Sequence, residues 1–327
     1  MPSASDTDYH EKPPLHELFD VGAWFSAESA LAADLARAAF ALGRLEGMLM
    51  AMEPELRAGA NRRLALIEAE AMLWAQGSPL RREEIGRDLM EARAGADLEA
   101  MRLARWSIRR LEGQGDPRDL RAFLGLHRAE VSGLDDLLAA RPTGHDFDAA
   151  AAEFRTLAGE LADLTPVARA PALRVLWRLC DLSAPEVLAE PATWTARDMA
   201  EGCEGLRFVP LGRHGRGVWI DGGTPAERMA RHLAAVTAGI EDARHELARV
   251  IEWQARALAA MAGVKGDNPA RVIRALAAHP LLSAAMLEDS AGISRDTAER
   301  MLARMKSLGL AREITGGRRF RLWMLAG

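Results

Sequence analysis

The sequence predicts a mainly α protein: a multi-helix bundle domain followed by a C-terminal winged helix-turn-helix domain. Three observations predict it. β-branched residues are sparse and Tyr9 is the only tyrosine, a composition that favours helices over sheets. Apolar residues recur at three- and four-residue spacing through most of the chain. Near residue 266 the charge changes sign, and close to the C-terminus the apolar period shortens from helical to alternating. A length of 327 residues with 49% apolar and 27% charged side chains suits two packed domains and excludes a disordered chain.

Residues 1–14, polar and carrying Pro2, Pro13 and Pro14, read as a flexible arm, and residues 15–265 as the helical domain. Its first helical pattern runs from Ser26 to Met52, with Leu31, Leu35, Leu42, Leu45 and Leu49 in phase. A second spans Glu53 to Ala75 and stops at Gln76-Gly77-Ser78-Pro79. Leu80–Met90 and Leu98–Leu111 follow, closed by Gly113, Gly115 and Pro117. Helical periodicity continues over Asp119–Leu138 and Phe147–Leu164. Leu206–Pro210 and Gly217–Ile220 flank a glycine-rich turn and predict a short hairpin near 206–220.

Thr224-Pro225-Ala226-Glu227 is a helix start: Thr at the N-cap, Pro in the first turn, Glu placed to close a capping box. The helix it opens, 225–262, carries Met229, Leu233, Val236, Ile240, Ala243, Leu247, Val250, Gln254, Ala257 and Met261 in alternating steps of four and three. That seam of period 3.5 suits the central helix of a bundle, or a homodimer contact through the same helix. Gly239 and Gln254 weaken the second reading.

Residues 266–327 form the winged helix-turn-helix domain in this reading. They hold ten basic and six acidic side chains, leaving 32 basic and 41 acidic before them. Asn268–His279 reads as a helix with Asn268 at its N-cap, and Ser283 caps a shorter one that ends at Gly292. Ser294 caps a third, Arg295–Ser307, the position of a recognition helix. On it Ala298, Met301, Leu302, Met305 and Leu308 fall on the buried side, while Arg295, Asp296, Thr297, Glu299, Arg300 and Arg304 point outward. Ala311–Thr315, Gly316-Gly317 and Arg318–Met324 then alternate like a hairpin, with Phe320, Leu322 and Met324 inward and Arg319, Arg321 and Trp323 outward.

The expected partner is duplex DNA, met by Arg295, Thr297, Arg300, Arg304, Arg318, Arg319 and Arg321. Arginine can bond guanine through two donors, and a basic wing adds affinity along phosphates. A winged helix also serves elsewhere as a protein-docking module, and that alternative stays open. Which small-molecule effector the helical domain would sense, if any, is not legible.

Neither His-Glu-x-x-His nor Gly-x-Ser-x-Gly occurs in the chain. Leu211–Gly217 lacks the Lys-Ser/Thr ending of a phosphate loop, and Cys180, Cys203 and His214 lack zinc spacing. His127 with Glu130 and His145 with Asp146 read as ordinary neighbours. Trp74, Trp106, Trp177, Trp194 and Trp253 lie on helical patterns and read mostly as core, with Trp177 and Trp194 also placed to line a pocket. The reading is therefore of a non-enzyme without cofactor or metal. Two cysteines suit a reducing, cytoplasmic compartment, and neither a signal peptide nor a membrane span is expected.

Ile293-Ser294-Arg295-Asp296-Thr297-Ala298 and Leu308-Gly309-Leu310-Ala311-Arg312-Glu313 carry a resemblance to an uncharacterised alphaproteobacterial, rhizobial-type family. Its members join a helical domain of unknown function to a C-terminal helix-turn-helix DNA-binding domain, which implies transcriptional regulation. A fainter likeness is to the Fic family. Glu68–Gly77 resembles the stretch where that family places an inhibitory Ser or Thr and a Glu before Gly, but Met72, Leu73 and Gln76 stand at those places. The family's His, Phe, acidic, Gly-Asn-Gly-Arg motif does not occur in the chain, so this likeness implies no transfer activity.

Overall fold

A computed structural model describes residues 15–90, 97–126, 141–219, 222–315 and 321–326. It is mainly helical. The helices are α1 (Leu15–Leu18), α2 (Val21–Ala30), α3 (Ala32–Met50), α4 (Pro54–Gln76), α5 (Arg82–Leu89), α6 (Leu98–Leu111), α7 (Leu120–Leu124) and α8 (Gly144–Glu160). They continue with α9 (Pro166–Leu179), α10 (Ala189–Met199), α11 (Arg216–Trp219) and α12 (Pro225–Met261). The C-terminal unit follows in the order α13 (Asn268–Ala278), β1 (Leu282–Ser283), α14 (Ala284–Ala291), α15 (Arg295–Ser307), β2 (Ala311–Glu313) and β3 (Leu322–Leu325). No described helix is long and apolar enough to cross a membrane.

Two apolar cores organise these elements, and α12 belongs to both. Met229, Leu233, Val236, Ile240, Ala243 and Leu247 enter the larger core, built by residues from Leu15 to Leu247. Trp253, Ala257 and Met261 enter the smaller one, completed by α13, α14, α15 and the sheet. Eight of the ten seam positions are therefore buried by the chain itself, and Val250 and Gln254 are half-buried. The capping box at its start forms as read: the Thr224 hydroxyl accepts from the Glu227 amide, and the Glu227 carboxylate accepts from the Thr224 amide.

Several sequence expectations are corrected. The 26–52 pattern breaks at Leu31 into α2 and α3. The Asp119–Leu138 pattern is stopped by Gly125 at φ 78°, a conformation that favours glycine, and residues 127–138 lie outside the described set. Trp74 is 57% exposed rather than core.

The hairpin near 206–220 is not formed. Gly212–Gly215 is a 3-10 turn that leads into α11, and Ile220 lies outside the described residues. The segment before it needs no partner strand, because side chains of α3 and α4 accept its backbone amides. The Glu46 carboxylate accepts from the amides of Glu204, Gly205 and Leu206 at 2.7–2.8 Å. The Asn61 amide oxygen accepts from Arg207, while its nitrogen donates to the Gly205 carbonyl. The Glu68 carboxylate accepts from Leu211 and Gly212, at 3.0 and 2.6 Å. The segment crosses α12 at Gly239, where a Cβ would stand 2.6 Å from the Pro210 carbonyl oxygen.

In the C-terminal unit the sheet is antiparallel in the order β1-β3-β2, with Ser283 opposite Leu322 and Glu313 opposite Trp323. Successive β3 residues Leu322 and Trp323 are both buried, so this central strand is covered on both faces. Trp323 thus points into the structure, against the outward expectation. Leu308 is 45% exposed, not buried, since it follows α15 as its C-cap. The N-cap of α13 is Asp267 and not Asn268.

The unit is docked on the helical body. A Cβ on Gly59 of α4 would overlap the Ala278 carbonyl, and one on Gly86 of α5 the Leu281 side chain. Arg63 donates to the Ala277 carbonyl, Arg62 lies 3.3 Å from His279 Nδ1, and Arg312 pairs with Glu83 at 2.7 Å. Close approach at two glycines, by the Ala278 backbone at Gly59 and the Leu281 side chain at Gly86, sets this fit, with the ion pair at its rim.

Candidate functional site

The candidate site is the outward face of α15 with the neighbouring end of the sheet. The Ser294 hydroxyl, 3.4 Å from the Thr297 amide, accepts from it and starts α15, and Gly292 at φ 60° ends α14 two residues earlier. This short turn places α15 across α14 with Ala298, Leu302 and Met305 inside. Arg295, Arg300 and Arg304 are left on the exposed side, with Arg295 and Arg300 side chains 67% and 69% exposed.

Each of the first two arginines has an acidic partner one turn away. Arg295 Nε lies 3.3 Å from Glu299 Oε1, and Arg300 Nη2 lies 3.2 Å from Asp296 Oδ2. Exposed pairs at this spacing contribute only about 0.3–0.5 kcal/mol. Exchanging Glu299 or Asp296 for a phosphate therefore costs little.

Thr297 is half-buried and its hydroxyl is already engaged, 2.9 Å from Ser294 Oγ and 3.3 Å from Arg300 Nη2. It orders the start of the helix more than it offers a free donor. Arg321 directly precedes β3, 3.9 Å from Glu313 Oε1, and Lys306 reaches the other Glu313 oxygen at 3.7 Å. Arg318 and Arg319 lie outside the described residues, as do Gly316, Gly317 and Phe320. The structure thus brings Arg295, Thr297, Arg300 and Arg304 onto one helix and sets Arg321 beside the adjoining sheet.

The other candidates resolve into packing. His214 and Arg213 both pair with Asp242 of α12 at 3.0 Å, while Arg216 of the same turn is exposed. Trp177 and Trp194 stack edge-on against Phe154 and donate to Ser183 Oγ and the Pro117 carbonyl. They line a core, not a pocket. His145 is exposed on α8, and His127 and Glu130 lie outside the described residues. Burial raises the Cys203 thiol above its ordinary pKa, with Glu46 adding to the shift. Among the described residues no three His, Cys, Asp or Glu side chains gather as metal ligands.

The segment that resembles the Fic inhibitory stretch is spent on the fold. Met72 and Leu73 are buried in the larger core, and the Gln76 side-chain oxygen accepts from the amides of Leu188 and Ala189 at the start of α10.

Sequence reasoning missed the buried charged groups. Glu68 is fully enclosed and burial pushes its carboxyl up to about 7, against the two amide bonds that favour the charged form. Arg63 is lowered to about 10 by burial, and Arg174 to about 9. Their signal is weak but present: Arg174 lies within Ala170-Pro171-Ala172-Leu173-Arg174-Val175-Leu176-Trp177, a run otherwise apolar all round.

No protein-family model matches the chain, and no curated protein matches it. Among solved structures, it is similar to the crystal structure of a Fic family protein from Desulfovibrio desulfuricans G20, with 15% identity and a TM-score of 0.49. The alignment covers 91% of this chain and 96% of that one. The likeness assigns no activity to this chain.

Proposed function

We propose that the chain is a DNA-binding protein whose C-terminal unit is a winged helix, with α15 as the recognition helix. The order α13, β1, α14, α15, β2, β3 and the β1-β3-β2 sheet support the fold reading. The observation that carries the function is the division of α15: its apolar side closes the smaller core, and Arg295, Arg300 and Arg304 are exposed opposite it. A helix so mounted fits the major groove, and its arginines supply phosphate or guanine contacts. The −9 balance of residues before Asp267 keeps the helical body off the polyanion.

The test is fluorescence anisotropy of the full chain against a labelled random-sequence duplex at 50 and 200 mM salt. The proposal expects binding that weakens steeply as salt rises and is lost in Arg295→Ala with Arg300→Ala. Absence of salt-dependent binding would refute it. Retained binding in the double variant would remove α15 from the interface.

A second reading is a Fic-like protein without transfer activity, the family named for the solved neighbour. The chain lacks that family's His, Phe, acidic, Gly-Asn-Gly-Arg motif, and its 68–77 segment serves packing. A thermal shift with ATP would favour this reading; no shift would count against it.

A further inference from the structure

A cavity of about 220 Å³ opens between α9, α10, α11 and α12 in the helical body. Pro171, Val175, Leu188 and Trp219 give it apolar walls. Its charged lining is of one sign: Arg174 and Arg178, one turn apart on α9, meet Arg228 and Arg231 of α12, and no carboxylate lines it among the described residues.

Arg174 is the unusual member. Its guanidinium is fully buried and lies 3.1 Å from Nδ1 of His232, itself fully buried. Burial and the Arg174 charge lower the His232 pKa, so the ring is neutral and accepts a hydrogen bond without balancing the charge. The other terminal nitrogen of Arg174, Nη1, has no hydrogen-bond partner. Arg178 commits one terminal nitrogen to the Trp219 carbonyl at 2.7 Å. Arg228 and Arg231 have contacts of their own and add positive charge to the lining.

A buried cation with an unused donor costs several kcal/mol unless a partner supplies the opposite charge. An anion in the cavity would supply it. Guanidinium groups favour planar or tetrahedral oxyanions, which accept two bonds in parallel. The apolar walls call for an apolar body behind that head group. The volume lies below the roughly 300–1,000 Å³ typical of drug-sized sites, which suits a benzoate-sized ligand and excludes a nucleotide.

We propose that this cavity binds a small organic anion, a carboxylate or phosphate on an apolar body, with Arg174 and Arg178 holding the oxyanion. The site stands on its own geometry and does not depend on DNA binding.

The test is thermal unfolding of the full chain with benzoate, phenyl phosphate, inorganic phosphate and the neutral benzamide. Benzoate or phenyl phosphate should raise Tm in a concentration-dependent way, while benzamide does not and inorganic phosphate does so less than phenyl phosphate. Arg174→Met should raise the Kd at least tenfold and, without anion, melt at or above the wild-type temperature. Val175→Phe, which fills the cavity and keeps every arginine, should also abolish the response. Anions no better than benzamide, or an unchanged response in Arg174→Met, would overturn the proposal. So would a lower Tm of Arg174→Met without anion, which would make the arginine a structural group.

Discussion

Glu68 makes the stability of the helical body depend on pH in a direction opposite to that of most carboxylates. Its pKa stands at about 7 in the fold against an ordinary 4.5, because burial disfavours the anion more than the Leu211 and Gly212 amides favour it. A raised folded pKa means that the folded chain holds the proton more tightly than the unfolded one. The stabilisation from protonated Glu68 is then fully present below pH 4.5 and is lost as pH rises through 7. At 1.36 kcal/mol per unit, the loss across that window is about 3 kcal/mol. Glu68→Gln keeps an oxygen for the two amides and removes the ionisation. Urea unfolding of both proteins from pH 4.5 to 8 isolates this group, since every other titration cancels in the difference. The variant should gain about 3 kcal/mol on the wild type between the ends of that range. A difference that stays flat, or that shrinks as pH rises, would refute the reasoning.

Two other predictions follow from the packing. Gly239→Ala places a methyl group 2.6 Å from the Pro210 carbonyl oxygen and should destabilise by about 1–3 kcal/mol in urea unfolding. Gly47→Ala in α3, where a Cβ meets open space, should stabilise by about 0.4–1 kcal/mol and serves as its control. Trp253→Ala empties the centre of the smaller core and leaves the Leu310 carbonyl without its indole donor, at a cost of about 3–5 kcal/mol. Hydrogen exchange in the variant should accelerate through α13–α15 and leave α3 and α4 protected; uniform acceleration would contradict the two-core organisation.

What was legible in the sequence was local. The Thr224, Ser283 and Ser294 caps and the Gly292 stop act within four residues, and each stands where the sequence reading put it. The seam of α12 was legible as apolar, but not as shared between two cores, because that depends on what packs against it. The 204–212 segment could not be read locally: its acceptors Glu46, Asn61 and Glu68 lie more than 140 residues earlier, so its alternating apolar residues resembled a strand. Simple alternation points Trp323 outward, and it fails in a central strand covered on both faces. Of the candidate site, the arginines of α15 were legible from helical phase, while their pairing with Asp296 and Glu299 followed from i,i+4 spacing that the reading did not use. Arg174 carries only a weak signal, the one charge in an apolar run, because a lone arginine on an apolar helix ordinarily reaches solvent.

The claim on which the functional account rests is that α15 presents its arginines to the phosphates of a duplex. The most direct measurement is the slope of log K against log salt concentration for the full chain and for Arg295→Ala, Arg300→Ala and Arg304→Ala taken one at a time. Each variant whose arginine meets a phosphate should make the slope shallower by about 0.9. Slopes identical to the wild type in all three variants would contradict the claim.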